Sequence, residues 1–123
     1  MKMKKRNMMI FLYNLFNTKT MNAEEIKETC RAAIRTFGTR SQVKKAVEEM
    51  GELETALMRF PDRANADDVV TEIADVMITA AQLALMFGYD RVQDEVVRKI
   101  IRLQGRIKSE EYYQKQMKEY YGN

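Results

Sequence analysis

The chain of 123 residues contains no histidine, one cysteine and one proline. Without histidine there is no Ser-His-Asp or Cys-His catalysis and no imidazole-ligated metal site. The lone thiol, Cys30, has no partner for an internal disulfide, so nothing in the sequence calls for an oxidising compartment. One proline and five glycines are too few for the many tight turns of an all-β domain. If the chain is an enzyme, carboxylates, lysines and arginines carry its chemistry.

What is present fits one soluble domain: 46% of residues are apolar and 32% charged. The net charge of +3 is unevenly spread. Five of the 21 basic residues lie in residues 1–21, leaving 16 against 18 acidic ones in the body. The basic character therefore belongs to the leader. The nearly neutral body, with its mixed charges, argues against nucleic acid as a partner.

Residues 1–20 pair a charged start (Lys2 to Arg6) with the apolar run at 8–16. That resembles a secretory signal, but the run is short, contains Asn14 and lacks a small-residue cleavage site. It also falls short of the about 20 residues that span a bilayer. Met21 precedes a good helix start, so translation from there is an alternative. The expectation is a leader over 1–21, outside the core fold, packing on it or on a partner subunit of a cytoplasmic protein with no membrane contact. A true targeting signal or a leader-anchored, membrane-associated protein is the competing reading.

The body reads as helices. Asn22 with Glu25 makes a capping pair, and 23–37 follows a helical pattern closed by Gly38. Ser41 is the expected cap of a second helix over 42–59, with Val43, Ala46, Val47, Met50, Leu53 and Leu57 inward. A Phe-Pro-Asp break and a polar loop over 63–67 follow. A third helix is expected over 68–87, and Asp90 with Gln93 forms a capping box for a fourth that continues through Ile107. Short connections favour an all-α, antiparallel four-helix bundle over 22–109. Residues 110–123 form a tyrosine-rich tail that either continues the last helix, docks on a neighbour or frays. Four tyrosines as a base-stacking platform is the less favoured reading.

From Val69 to Phe87 the only ionisable side chains are Glu72 and Asp75. A helix so apolar belongs in the middle of a core, where an unpaired carboxylate costs several kcal/mol or takes up a proton. At i, i+3 the two acids share a side. With no histidine and no cysteine cluster, the matching cation is a hard divalent ion with oxygen ligands, Mg²⁺ or Mn²⁺. The second helix offers Glu48, Glu49, Glu52 and Glu54, of which Glu49 and Glu52 repeat the i, i+3 spacing. The alternative is a buried salt-bridge network, with fourth-helix Lys or Arg neutralising Glu72 and Asp75.

Together, Glu48-Glu49-Met50-Gly51-Glu52-Leu53 and, further on, Glu72-Ile73-Ala74-Asp75-Val76 resemble the all-α, MazG-like nucleoside triphosphate pyrophosphohydrolases. The likeness extends upstream through Phe37-Gly38 and Gln42, similar to phage and bacterial members. Downstream it takes in Phe87-Gly88-Tyr89 and the stretch from Lys99 to Ile107, similar to a K-x-x-R-L-x-x-R-I helix. It covers roughly Ile34 to Ile107. The resemblance implies Mg²⁺-dependent cleavage of a (d)NTP to the (d)NMP and pyrophosphate. It implies metal ligation by Glu49, Glu52, Glu72 and Asp75, with Glu49 or Glu52 accepting the proton of the attacking water. Glu48 has no settled role in it. Lys99, Arg102 and Arg106, one stripe at i, i+3 and i+7, are expected to grip phosphate, Lys44 and Lys45 being weaker candidates. Phe37 and Gln42 are the nearest fit to a base-binding wall and amide. Because four short helices bury little core, a homodimer or homotetramer is expected. The rival reading is a non-catalytic helical interaction or nucleotide-sensing module.

Overall fold

A computed structural model describes residues 17–60 and 66–122. Among them the chain is all-helical, with no strand: α1 Ala23–Phe37, α2 Thr39–Arg59, α3 Ala66–Phe87 and α4 Tyr89–Tyr121. The apolar run at 8–16 and the loop at 61–65 lie outside the described residues.

α1 starts where its capping chemistry puts it. Asn22 Oδ1 accepts the Glu25 N–H at 2.8 Å, and Asn17 Oδ1 accepts that of Ala23 at 3.2 Å. Two of the orphan donors at the helix start are thereby satisfied, and Glu24 and Glu25 face the positive end of the dipole.

Both visible corners between helices are single glycines. Gly38 (φ +89°) donates to Ile34 O at 2.9 Å, closing α1, and accepts from Gln42 N at 3.1 Å, opening α2. Gly88 (φ +124°) does the same between Ala84 O and Val92 N. A glycine at positive φ lets the chain turn within one residue, so the following helix begins at once. This corrects two expected caps. Ser41 lies inside the first turn of α2, whose N-cap is Gly38. Asp90 lies in the first turn of α4, whose N-cap Gly88 makes no side-chain cap bond, so the Asp90–Gln93 box does not start that helix. α3 likewise begins two residues earlier than expected, at Ala66.

α3 is the hub: it packs against α1, α2 and α4, most extensively against α2. α4 packs on α3, with Lys27 Nζ of α1 4.0 Å above the Tyr89 ring at its start. Among the described residues the buried ones are small or polar: Cys30, Ala46, Ala84 and Val97 on one side, Gln42, Glu49, Thr79 and Gln82 on the other. The expected inward face of α2 is therefore turned. Ala46 is buried and Val43 and Leu53 are half-buried, but Val47, Met50 and Leu57 are exposed, while Gln42 and Glu49 point inward.

α3 is central in its contacts but not encircled, contrary to the expectation for so apolar a helix. Val70, Ile73, Ile78 and Phe87 remain exposed because three neighbours leave one flank open. On length and composition α3 is also the one described helix apolar enough to cross a membrane. α4 runs on without a break past Ser109 to Tyr121, 33 residues or about 50 Å at 1.5 Å per residue. Ile100, Ile101, Leu103, Ile107 and Tyr112, Tyr113, Tyr120 and Tyr121 are exposed along it.

Candidate metal centre

Ala46, on α2 one turn before Glu49, is 1% exposed. The next inward position on α2, Glu49, is carried against α3. Glu49 is 6% exposed although it is a glutamate. One carboxylate oxygen each from Glu49, Glu72 and Asp75 lie within 4.8 Å of one another. Glu72 and Asp75 are half-buried.

The oxygens are poorly served by the protein itself. Glu49 Oε1 accepts from Lys45 Nζ at 2.9 Å, one turn earlier on α2. Glu49 Oε2 and Glu72 Oε2 are closed off from water and have no hydrogen-bond donor. Among the described residues neither Glu72 nor Asp75 has an ion-pair partner, so the network with α4 cations weighed from the sequence is not formed there. Burial pushes the Glu72 carboxyl above its ordinary value, assisted by the negative charges of Glu52, Asp75 and Glu49 and a hydrogen bond with Glu52. The Lys45 ammonium is held charged to higher pH by its hydrogen bond to Glu49, with smaller help from Glu48 and Glu52.

The donor set fits a hard divalent cation. Oxygens sharing an octahedral Mg²⁺ at about 2.1 Å sit about 3–4 Å apart, so this trio reaches that spacing with small side-chain shifts.

Two clefts flank the trio. The first, about 510 Å³, is lined by Phe37, Gln42, Lys44, Lys45, Glu48, Glu49, Asp75, Ile78, Thr79 and Gln82, among others. Phe37, 64% exposed, stands in its wall, and Gln42 is buried in it. The second, about 870 Å³, is lined by Glu48, Glu52, Thr55, Arg59, Asp68 and Glu72 with Gly51 and Ala56. Glu52 is thus exposed in the second cleft rather than in the trio, although its charge bears on Glu72. Glu48 is exposed and borders both clefts. Lys99, Arg102 and Arg106 are exposed on α4 and line neither cleft.

Three residues were not singled out from the sequence as they now stand. Lys45 is the ion-pair partner of Glu49, legible as an i, i+4 pair. Gln82, seven residues beyond Asp75 on the same face of α3, is buried with its Oε1 unpartnered. Arg59 brings a positive charge to the second cleft; a lone arginine at a helix end gave no signal. Thr79, by contrast, satisfies its hydroxyl locally, donating to the carbonyls of Asp75 and Val76 at 3.1 Å. Compared with protein families, curated proteins and solved structures, the chain matches none.

Proposed function

We propose that the chain is a Mg²⁺-dependent nucleoside triphosphate pyrophosphohydrolase of the MazG-like, all-α type, cleaving a (d)NTP to the (d)NMP and pyrophosphate. The observation that carries this reading is the meeting of Glu49, Glu72 and Asp75 with two buried carboxylate oxygens left without a donor. The supporting architecture is an antiparallel four-helix bundle. Gln42, early in α2, shares a cleft with Gln82, late in α3, and Arg59, late in α2, shares one with Asp68, early in α3.

On this reading Glu49, Glu72 and Asp75 hold the cation, Mg²⁺ or Mn²⁺. Bound there, the ion supplies charge neutralisation at the phosphates, polarisation of the α-phosphorus and a lowered pKa for the attacking water. Glu52 lies beside the trio with its carboxylate in the open second cleft, the better placed of the two candidate bases. It accepts a proton from water as the water oxygen bonds to the α-phosphorus. The bond from that phosphorus to the bridging oxygen breaks, and pyrophosphate leaves with the electron pair. Phe37 and Gln42 form the wall and amide for the base in the first cleft. Lys99, Arg102 and Arg106 reach phosphate only if a second copy brings its α4 to the cleft. The exposed apolar residues of α3 and α4 fit burial in a homodimer or homotetramer of a cytoplasmic enzyme. Sedimentation of the native protein as a monomer at micromolar concentration would remove that oligomer.

The test is turnover of a nucleotide panel with Mg²⁺ and with EDTA, scoring monophosphate and pyrophosphate. Glu49→Gln and Asp75→Asn abolish activity with helix content unchanged by circular dichroism. Full activity in either variant refutes the assignment. One observation favours a second reading, a non-catalytic nucleotide-sensing or interaction module: Lys45 already neutralises part of the acidic trio. Tight nucleotide binding without turnover supports the sensor, and absence of Mn²⁺ binding supports the scaffold.

A further inference from the structure

Lys45 is in an unusual position for a partner of a buried carboxylate. Its Nζ reaches Glu49 Oε1 at 2.9 Å, yet its side chain is 53% exposed against 8% for that of Glu49. The ammonium thus enters the seam from the outside, at the tip of a flexible four-carbon stem whose body lies in the first cleft. Lys44 lines the same cleft and makes no ion pair among the described residues. This ammonium holds Glu49, which meets Glu72 and Asp75, and Glu48 and Glu52 are close enough to act on its charge. One positive charge against so many negative ones is an incomplete neutralisation, and two carboxylate oxygens of the trio have no donor at all.

From this geometry we infer that Lys45 is an exchangeable counter-ion: it holds Glu49 when the centre lacks a metal, gives way when a divalent cation binds, and then turns to a phosphate oxygen of the nucleotide in the first cleft. The inference rests on the metal-centre reading and deepens it. A divalent cation on the Glu49 carboxylate and the ammonium 2.9 Å from its Oε1 are like charges competing for one anion. The stem needs only rotamer changes to withdraw, because half of it is already in solvent. The cleft it withdraws into is the one that holds Phe37, Gln42 and Lys44, so the released charge stays beside the anionic part of a bound nucleotide. The same side chain therefore opposes metal binding and assists substrate binding.

A general basic residue would not separate those two effects, and the experiment reads them apart. Mn²⁺ alone is titrated by calorimetry into wild type, Lys45→Met and Lys44→Met, with no nucleotide present. Lys45→Met keeps the stem and removes the competing charge, so it binds Mn²⁺ roughly tenfold more tightly, as expected for one lost charge coupling. Lys44→Met, in the same cleft but off Glu49, stays within about twofold of wild type. Steady-state kinetics on the nucleotide panel then give Lys45→Met a KM raised about tenfold with kcat little changed, the pattern of lost ground-state binding. Melting curves confirm that each variant is folded. Mn²⁺ affinity in Lys45→Met equal to or weaker than wild type overturns the exchange, even if KM rises. If Mn²⁺ binds neither wild type nor Lys45→Met, the metal-centre reading fails and the exchange with it. If wild type binds Mn²⁺ and turns over nucleotide while Lys45→Met tightens nothing, only the exchange fails.

Discussion

Removing the cation should weaken the fold, and the structure sets the scale. Glu49 and Asp75 bring oxygens within 4.8 Å of each other. Two unit charges at that distance repel by about 0.9 kcal/mol in bulk water and about 3.5 kcal/mol at an effective dielectric of 20. The Lys45 ammonium offsets part of this, and the remainder loads the α2–α3 seam. A divalent ion that binds only the folded chain adds about 2.7 kcal/mol at a hundred times its Kd. With about 4–8 °C per kcal/mol for a domain of this size, Tm rises on the order of 10–20 °C on going from EDTA to saturating Mn²⁺. Thermal unfolding followed by circular dichroism at constant ionic strength reads this directly. Asp75→Asn supplies a sign test. Without metal it should melt above wild type, because one repelling charge is gone. With Mn²⁺ it should melt below, because a ligand is gone. An equal Mn²⁺ shift in both proteins, or the same shift produced by sodium chloride, refutes the reasoning.

The remaining predictions concern pH, packing and the corners. Glu72 has its folded pKa raised above the ordinary value of 4.5, so between those values the folded state binds more protons than the unfolded one. Metal-free stability is therefore greatest below the ordinary value and falls as pH rises through the folded one; urea denaturation should show that slope, and Glu72→Gln should flatten it. Ala46→Leu forces a larger side chain into an enclosed position one turn before Glu49, costing about 1–3 kcal/mol. Because it also spreads the trio, Mn²⁺ affinity should drop in calorimetry although every carboxylate is retained. Gly38→Ala meets no neighbouring atom within 4 Å, so its cost of about 1–3 kcal/mol comes from the positive φ alone. Gly38→Ser should cost the same in chemical denaturation, whereas a steric origin would make the larger side chain worse.

Local chemistry made much of the fold legible. The Asn22 cap and the glycine at 38 fix both ends of α1 because capping and positive φ are decided by a few adjacent residues. Glu72 and Asp75 stood out because nothing else ionisable shares 69–87. The face of α2 was not legible. A hydrophobic pattern ranks Val47, Met50 and Leu57 above Gln42 and Glu49, and the burial of those two polar side chains inverts that ranking. The i, i+3 spacing of Glu49 and Glu52 gave a shared side of the helix but not a shared depth. The about 60° by which such residues miss eclipsing is enough to put one in the seam and the other in open cleft. At α4 the apparent cap at Asp90 lost to Gly88, since a one-residue corner leaves no extended residue for a side-chain cap.

The composition of the interior bears on what the seam is for. A packed core gains most from large apolar side chains, about 1.5–3 kcal/mol for each one fully buried. Among the described residues the buried apolar ones are Cys30, Ala46, Ala84 and Val97, and no large side chain is fully enclosed. Gln42, Glu49, Thr79 and Gln82 occupy the positions that a stability-driven sequence would give to leucine. Of these, Thr79 bonds to its own helix, whereas Glu49 Oε2 and Gln82 Oε1 find no donor. Orphaned polar atoms at the centre of a seam cost free energy unless something else binds them. Meanwhile the residues that would make a good core, Val70, Ile73 and Ile78 on α3 and Ile101, Leu103 and Ile107 on α4, lie outside. Both features fit the proposed function, in which the polar seam would take an ion and a ligand and the apolar exterior a second copy. The isolated helices alone satisfy neither.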